Sequence, residues 1–99
     1  MKIQVDPELL EDATHAYRRA AADVRESMGR FRQVSGSLTS PGVLGSDQAT
    51  ANMSHASKAW IDNLQRLATA LDNIAGALHQ ALAEYRETDG RLARLRHEE

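Results

Sequence analysis

The chain contains no cysteine. It therefore has no disulfide framework and no thiol nucleophile, and it tolerates export without oxidative folding; the redox compartment stays open. Aromatics are scarce. Tyr17, Phe31, Trp60 and Tyr85 make up the 4% aromatic share, and much of the 41% apolar share is alanine. An alanine-rich, aromatic-poor interior suits closely spaced helices better than a thick core. An excess of basic charge is lacking as well. The net charge is −2 and the isoelectric point is near 6.1, which counts against a nucleic-acid partner. No apolar run approaches the roughly 18 residues of a membrane span. The opening Met1-Lys2-Ile3-Gln4-Val5-Asp6-Pro7 has no apolar middle region, so no cleavable signal peptide is expected. Any export would then use a route that ignores N-terminal signals.

Ninety-nine residues bound the chain to one small domain, marginal by itself. Asp6-Pro7-Glu8 is a strong helix start. Asp accepts from orphan amides, Pro fits the first helical position, and Glu complements the dipole. Val5 and Leu10 have the spacing of a hydrophobic staple. Beyond them, Leu10, Tyr17, Val24, Phe31 and Leu38 recur every seven residues. Ala13, Ala20, Ser27 and Val34 interleave as a second row. Breakers concentrate between Ser35 and Ser46. Leu38 therefore reads as a loop anchor, and Ser46 or Asp47 as the cap of a second helix.

The second helix is the longer. Met53, Trp60, Leu67, Ile74, Ala81, Thr88 and Leu95 form one row, and Leu64, Leu71, Leu78, Tyr85 and Leu92 the other. This 3-4 spacing is that of a helix-pair seam. A neighbouring stripe of Ile61, Ala68, Ala75 and Leu82 widens the apolar face beyond the needs of one partner. Gly90 is expected to end or fray the helix and leave a mobile tail. The pattern predicts an all-α, antiparallel two-helix hairpin as a single domain over 1–99. Its helices cover about 7–35 and 47–89, its turn 36–46 and its tail 90–99. The helices would be roughly 28 and 43 residues long, about 42 and 64 Å at 1.5 Å per residue. Ile3 and Val5 are placed to cover part of the overhang. Two such hairpins would complete a four-helix bundle. Trp60, Ile61, Leu64, Leu71, Leu78 and Leu82 are the candidate interface. Trp60 has two readings, a packed core residue or a partly exposed anchor for a partner.

Nothing points to catalysis. His15, His55, His79 and His97 lack metal spacing, and His15 and His79 read as boundary residues beside the apolar stripes. No Gly-rich loop follows a strand, and no His/Asp constellation activates the loop serines. Neither cofactor nor metal nor enzyme activity is expected, which leaves surface recognition.

Tyr85-Arg86-Glu87-Thr88-Asp89 places an aromatic ring and a carboxylate one turn apart on one helix face. With the hairpin layout, the length and the missing cysteine, this motif carries a family resemblance. Over about residues 3 to 90 the chain resembles the EspC-like branch of the ESX (type VII) secretion-associated proteins, related to the WXG (ESAT-like) family. Val5-Asp6-Pro7-Glu8-Leu9-Leu10 is similar to that branch's helix start, Leu44-Gly45-Ser46-Asp47 occupies its turn, and Trp60 sits where it often has an aromatic. Tyr85 and Asp89 match its Tyr-x-x-x-Asp/Glu export signal. One departure stands out. Where the WXG family has Trp-x-Gly, this chain has Val43-Leu44-Gly45. The family's turn Trp and its partner's signal form a bipartite element, so the substitution leaves one half to be supplied by a partner.

The resemblance implies a small secreted substrate or co-secretion partner. Its implied partners are a copy of itself or another helical hairpin, the type VII secretion ATPase and a larger effector. It implies synthesis in the cytoplasm and release to the cell envelope or beyond. The motif is expected at the end of the second helix, past the reach of the first. The competing reading is an intracellular helical adaptor or effector-specific chaperone that is not exported.

Overall fold

The computed structural model of the chain describes residues 6–98. Among them are two helices and no strand, α1 (Pro7–Leu38) and α2 (Asp47–Glu98). The Asp6 side chain caps α1 by accepting from the Glu8 N–H at 2.9 Å, and Pro7 occupies the first turn. At α2 it is Ser46, not Asp47, that caps: its hydroxyl accepts from the Ala49 N–H at 3.1 Å. The staple from Val5 and the cover from Ile3 and Val5 lie outside the described residues. Residues 39–46 turn the chain back. Contacts of Glu11 with Arg86, Arg25 with Asp72 and Ser35 with Ser57 show the helices to be antiparallel.

Both helices outrun the expected ends. In α1 the Ser35-Gly36-Ser37 segment stays helical, with Ser35 buried in the seam and bonded to Ser57 of α2. Ser37 donates to the Gln33 carbonyl at 3.1 Å and Thr39 to the Ser35 carbonyl at 2.8 Å. Leu38 is accordingly the last helical residue and not a loop anchor. In α2 the helix continues through Gly90 to Glu98. One glycine costs about 1 kcal/mol relative to alanine. Around it stand good helix formers, and Glu87 accepts from Arg91 at 2.7 Å across one turn. The segment expected as a mobile tail is a helical extension. At 52 residues, α2 should measure about 78 Å, in agreement with the molecule's longest dimension of 80 Å.

The seam is rotated from the expected one. In α1 the fully buried row is Thr14, Ala21, Met28 and Ser35. In α2 it includes Ser57, Ala68, Ala75 and Leu82. The stripe that looked surplus, Ile61 to Leu82, is thus the one turned to α1. Leu10, Val24, Phe31, Leu64, Leu71 and Leu78 are half-buried beside it, while Ser27, Val34, Trp60, Leu67 and Ile74 are exposed. Size explains the choice. Ala21, Ala68 and Ala75 are 0% exposed, and small side chains let two backbones approach closely, with the bulkier neighbours wrapping the sides. The seam also buries polar groups. The Thr14 hydroxyl donates to the Leu10 carbonyl at 2.8 Å, and the Ser35 and Ser57 hydroxyls bond each other across the two helices.

This arrangement sets an order of stability effects. Leu82→Ala should cost about 2–5 kcal/mol by opening a cavity. Ala75→Leu should cost about 1–3 kcal/mol by overpacking. Ala83→Leu, on an exposed face, should stay within about 0.5 kcal/mol. Urea unfolding of the three variants measures the order; an innocuous Ala75→Leu would rotate the seam again.

Candidate interaction surfaces

Pairing along the alanine rows gives the hairpin two unlike edges. On one edge charged side chains meet: Glu11 accepts from Arg86 at 3.2 Å, and Arg25 bonds Asp72. These pairs are half-exposed, where such bridges contribute about 0–1 kcal/mol. On the other edge apolar side chains meet. The Phe31 and Trp60 rings lie 6.5 Å apart at 60°, a tilted geometry favoured by aromatic pairs. That contact sets the outward rows of both helices on the same flank. Val24 and Phe31 stand on the α1 side. Trp60, Leu64, Leu67, Leu71, Ile74 and Leu78 run along the α2 side in alternating steps of four and three.

Trp60 is 52% exposed. It packs one side of its ring against Phe31 and leaves the rest open, between its two sequence readings. Of the candidate interface residues, Leu64, Leu71 and Leu78 share their surface between α1 and the open flank. Leu82 is buried, and Ile61 is half-buried on the inward stripe; neither belongs to the flank. Leu67 and Ile74, assigned to an inner seam by spacing alone, are exposed and complete the flank in their place. The signal that distinguishes the rows is the small size of Ala68 and Ala75.

Tyr85 and Asp89 lie on one face of α2, both exposed, Tyr85 at 37%. Neither hydrogen-bonds nor ion-pairs among the described residues. Their surroundings differ from expectation. Arg86, between them, reaches Glu11, so the motif runs beside the opening turns of α1 and not past its end. Leu92 and Leu95 continue the apolar rows beyond it and are exposed.

In the turn, Gly42 and Gly45 have φ of 81° and 82°, a region that costs other L-residues about 1–2 kcal/mol. Val43 donates its N–H to the Ser40 carbonyl at 3.2 Å and is 55% exposed, while Leu44 is half-buried. The Val43-Leu44-Gly45 triplet thus presents its first side chain outward and needs glycine at its third position. Among the described residues no helix is long and apolar enough to cross a membrane.

The molecule is thus a two-helix hairpin with one apolar flank only partly covered and an exposed aromatic–acid pair on its longer helix. The family model described as proteins of 100 residues with WXG matches residues 2–90, and the chain belongs to this WXG100 family. The family is one of non-enzymatic helical proteins associated with type VII secretion substrates, and its proteins typically pair as helical hairpins. No curated protein and no solved structure matches the chain.

The turn provides a direct check. Gly45→Ala should destabilise the hairpin by about 1–2 kcal/mol through its positive φ. Val43→Ala should stay within about 0.5 kcal/mol. Thermal melts of both variants by circular dichroism measure the difference.

Proposed function

We propose that the protein is a substrate or co-secretion partner of an ESX (type VII) system. In this reading it docks a second helical hairpin on its apolar flank and is recognised through Tyr85 and Asp89. The observation that carries it is the flank itself. Trp60, Leu64, Leu67, Leu71, Ile74 and Leu78 form a continuous stripe that α1 covers only in part, with Trp60, Leu67 and Ile74 exposed. Burying apolar surface is worth about 25 cal/mol per Å2, and a second hairpin is the occupant whose shape matches a straight stripe of this spacing. The closed product is a four-helix bundle, built from two copies or from two different chains.

Recognition by the secretion ATPase and piloting of a larger effector belong to the same reading. Tyr85 offers an aromatic contact and Asp89 a charged one, one turn apart on a rigid helix. Leu92 and Leu95 lengthen that surface. Because Arg86 ties this region to Glu11, the motif is presented on an ordered part of the hairpin and can be read without unfolding.

Two measurements test the two halves separately. Trp60→Ala should weaken hairpin pairing by about 2 kcal/mol or more, as truncation of an interface hot spot does. Light scattering across a dilution series, alone and with a co-expressed hairpin, reads that shift. A chain that stays monomeric in both arms rejects the pairing. For export, Tyr85→Ala and Asp89→Ala should abolish appearance in the medium of a strain carrying the apparatus, with helicity unchanged by circular dichroism. Asp89→Glu should retain export. Secretion of the folded double variant at the wild-type level rejects the signal; absence of the wild-type chain from the medium favours the non-exported adaptor.

A further inference from the structure

On the charged edge the two helices meet rung by rung. Glu11 faces Arg86 and Arg25 faces Asp72, and both rungs are ion pairs. Two heptads separate Glu11 from Arg25, and two separate Arg86 from Asp72. The rung midway between them sets Arg18 opposite His79. Here complementarity fails, because a base faces a base. A half-open cavity of about 150 Å3 lies at this rung, and His15 and Arg86 join Arg18 and His79 in its wall.

The single carboxylate in that wall, Glu11, is already engaged by Arg86 at 3.2 Å and lies 3.9 Å from the His15 Nε2. Arg18 has no carboxylate partner among the described residues. Thr14, also in the wall, donates its hydroxyl proton to the Leu10 carbonyl. The donors left for a guest are therefore guanidinium and imidazole N–H groups.

We propose that this cavity binds a small oxyanion, of the chemistry of phosphate, between Arg18 and His79. The planar guanidinium fork of Arg18 matches two oxygens of a tetrahedral anion. His79 supplies a donor from the other helix, and His15 and Arg86 contribute positive potential at the rim. The charged and titratable groups facing the guest are Glu11, His15 and Arg18 on α1 and His79 and Arg86 on α2; Arg25 and Asp72, one heptad further on, pair with each other outside the cavity. Two bases face each other across the hairpin at this rung, a mismatch that an anion between them offsets. A soluble ion is favoured over a lipid headgroup because the neighbouring carboxylates of Glu11 and Asp72 would oppose an anionic bilayer. The cavity lies on the edge opposite the apolar flank and stays open when that flank is covered, so the inference stands apart from the secretion reading.

The test is thermal unfolding of the full chain at fixed concentration, in sodium phosphate and in sodium chloride of equal ionic strength. At pH 5.5 phosphate should raise the midpoint by about 4 °C or more over chloride, as a ligand bound to the folded state does. Arg18→Glu places a carboxylate opposite His79. It should raise the midpoint in chloride at pH 5.5 and remove the response to phosphate. A gain in stability keeps this loss distinct from misfolding. In histidine-resolved NMR titrations with inorganic phosphate, His79 should shift in the wild type and not in Arg18→Glu. Equal midpoints in phosphate and chloride at pH 5.5 overturn the proposal. A response that persists in Arg18→Glu overturns it as well. Binding to phosphatidic acid vesicles without any response to inorganic phosphate overturns the assignment to a small soluble ion.

Discussion

A pair of helices has one interface, and each helix of this hairpin carries more apolar surface than one interface covers. The narrowest stripes win the interface. Ala21, Ala68 and Ala75 are wholly buried, because the closest approach of two backbones belongs to the faces with least side chain. Everything else on the molecule is placed relative to that line. Bulky residues one row over become flanks, and charged residues on the opposite side become a ladder. The turn must then deliver α2 at the matching rotation, and the positive φ of Gly42 and Gly45 serves that geometry.

Polar groups within the seam give it register. A stripe of alanines could slide by a heptad with little loss. The bond between the buried Ser35 and Ser57 hydroxyls resists such a slide, since moving either helix would leave a buried hydroxyl unpaired, at about 1–3 kcal/mol. The Glu11–Arg86 and Arg25–Asp72 rungs favour the same alignment. Each exposed pair is weak, but all three contacts specify one register. The Arg18–His79 rung is where local complementarity is absent, and the cavity lies there.

The family's proteins are non-enzymatic and typically pair as helical hairpins. The apolar flank and the Tyr85–Asp89 pair occupy one long helix, so both surfaces are carried by a single rigid element. The turn departs from the family's Trp-x-Gly in its first residue only. Val43 is exposed there, so that corner adds little to internal packing.

Periodicity and composition by themselves determined the helix count, the hairpin and the cap at Asp6, while the family was legible only as a resemblance carried by short motifs. They determined these because caps, breakers and seven-residue spacing are local properties of the chain. Helix ends were less legible. Helix runs on through Ser35–Ser37, where the Ser37 and Thr39 hydroxyls bond helix carbonyls, and through Gly90, although residue type alone signals a stop at both. Which stripe packs was decided only by the tertiary structure. Adjacent rows such as Leu67–Ile74 and Ala68–Ala75 are equally periodic, and the bulkier row reads as the seam when burial is judged by size. Choosing between them requires the distance between two backbones, a quantity that exists only once the helices are side by side. The juxtaposition of Arg18 with His79 has the same origin, since residues so far apart in the chain become neighbours through register alone.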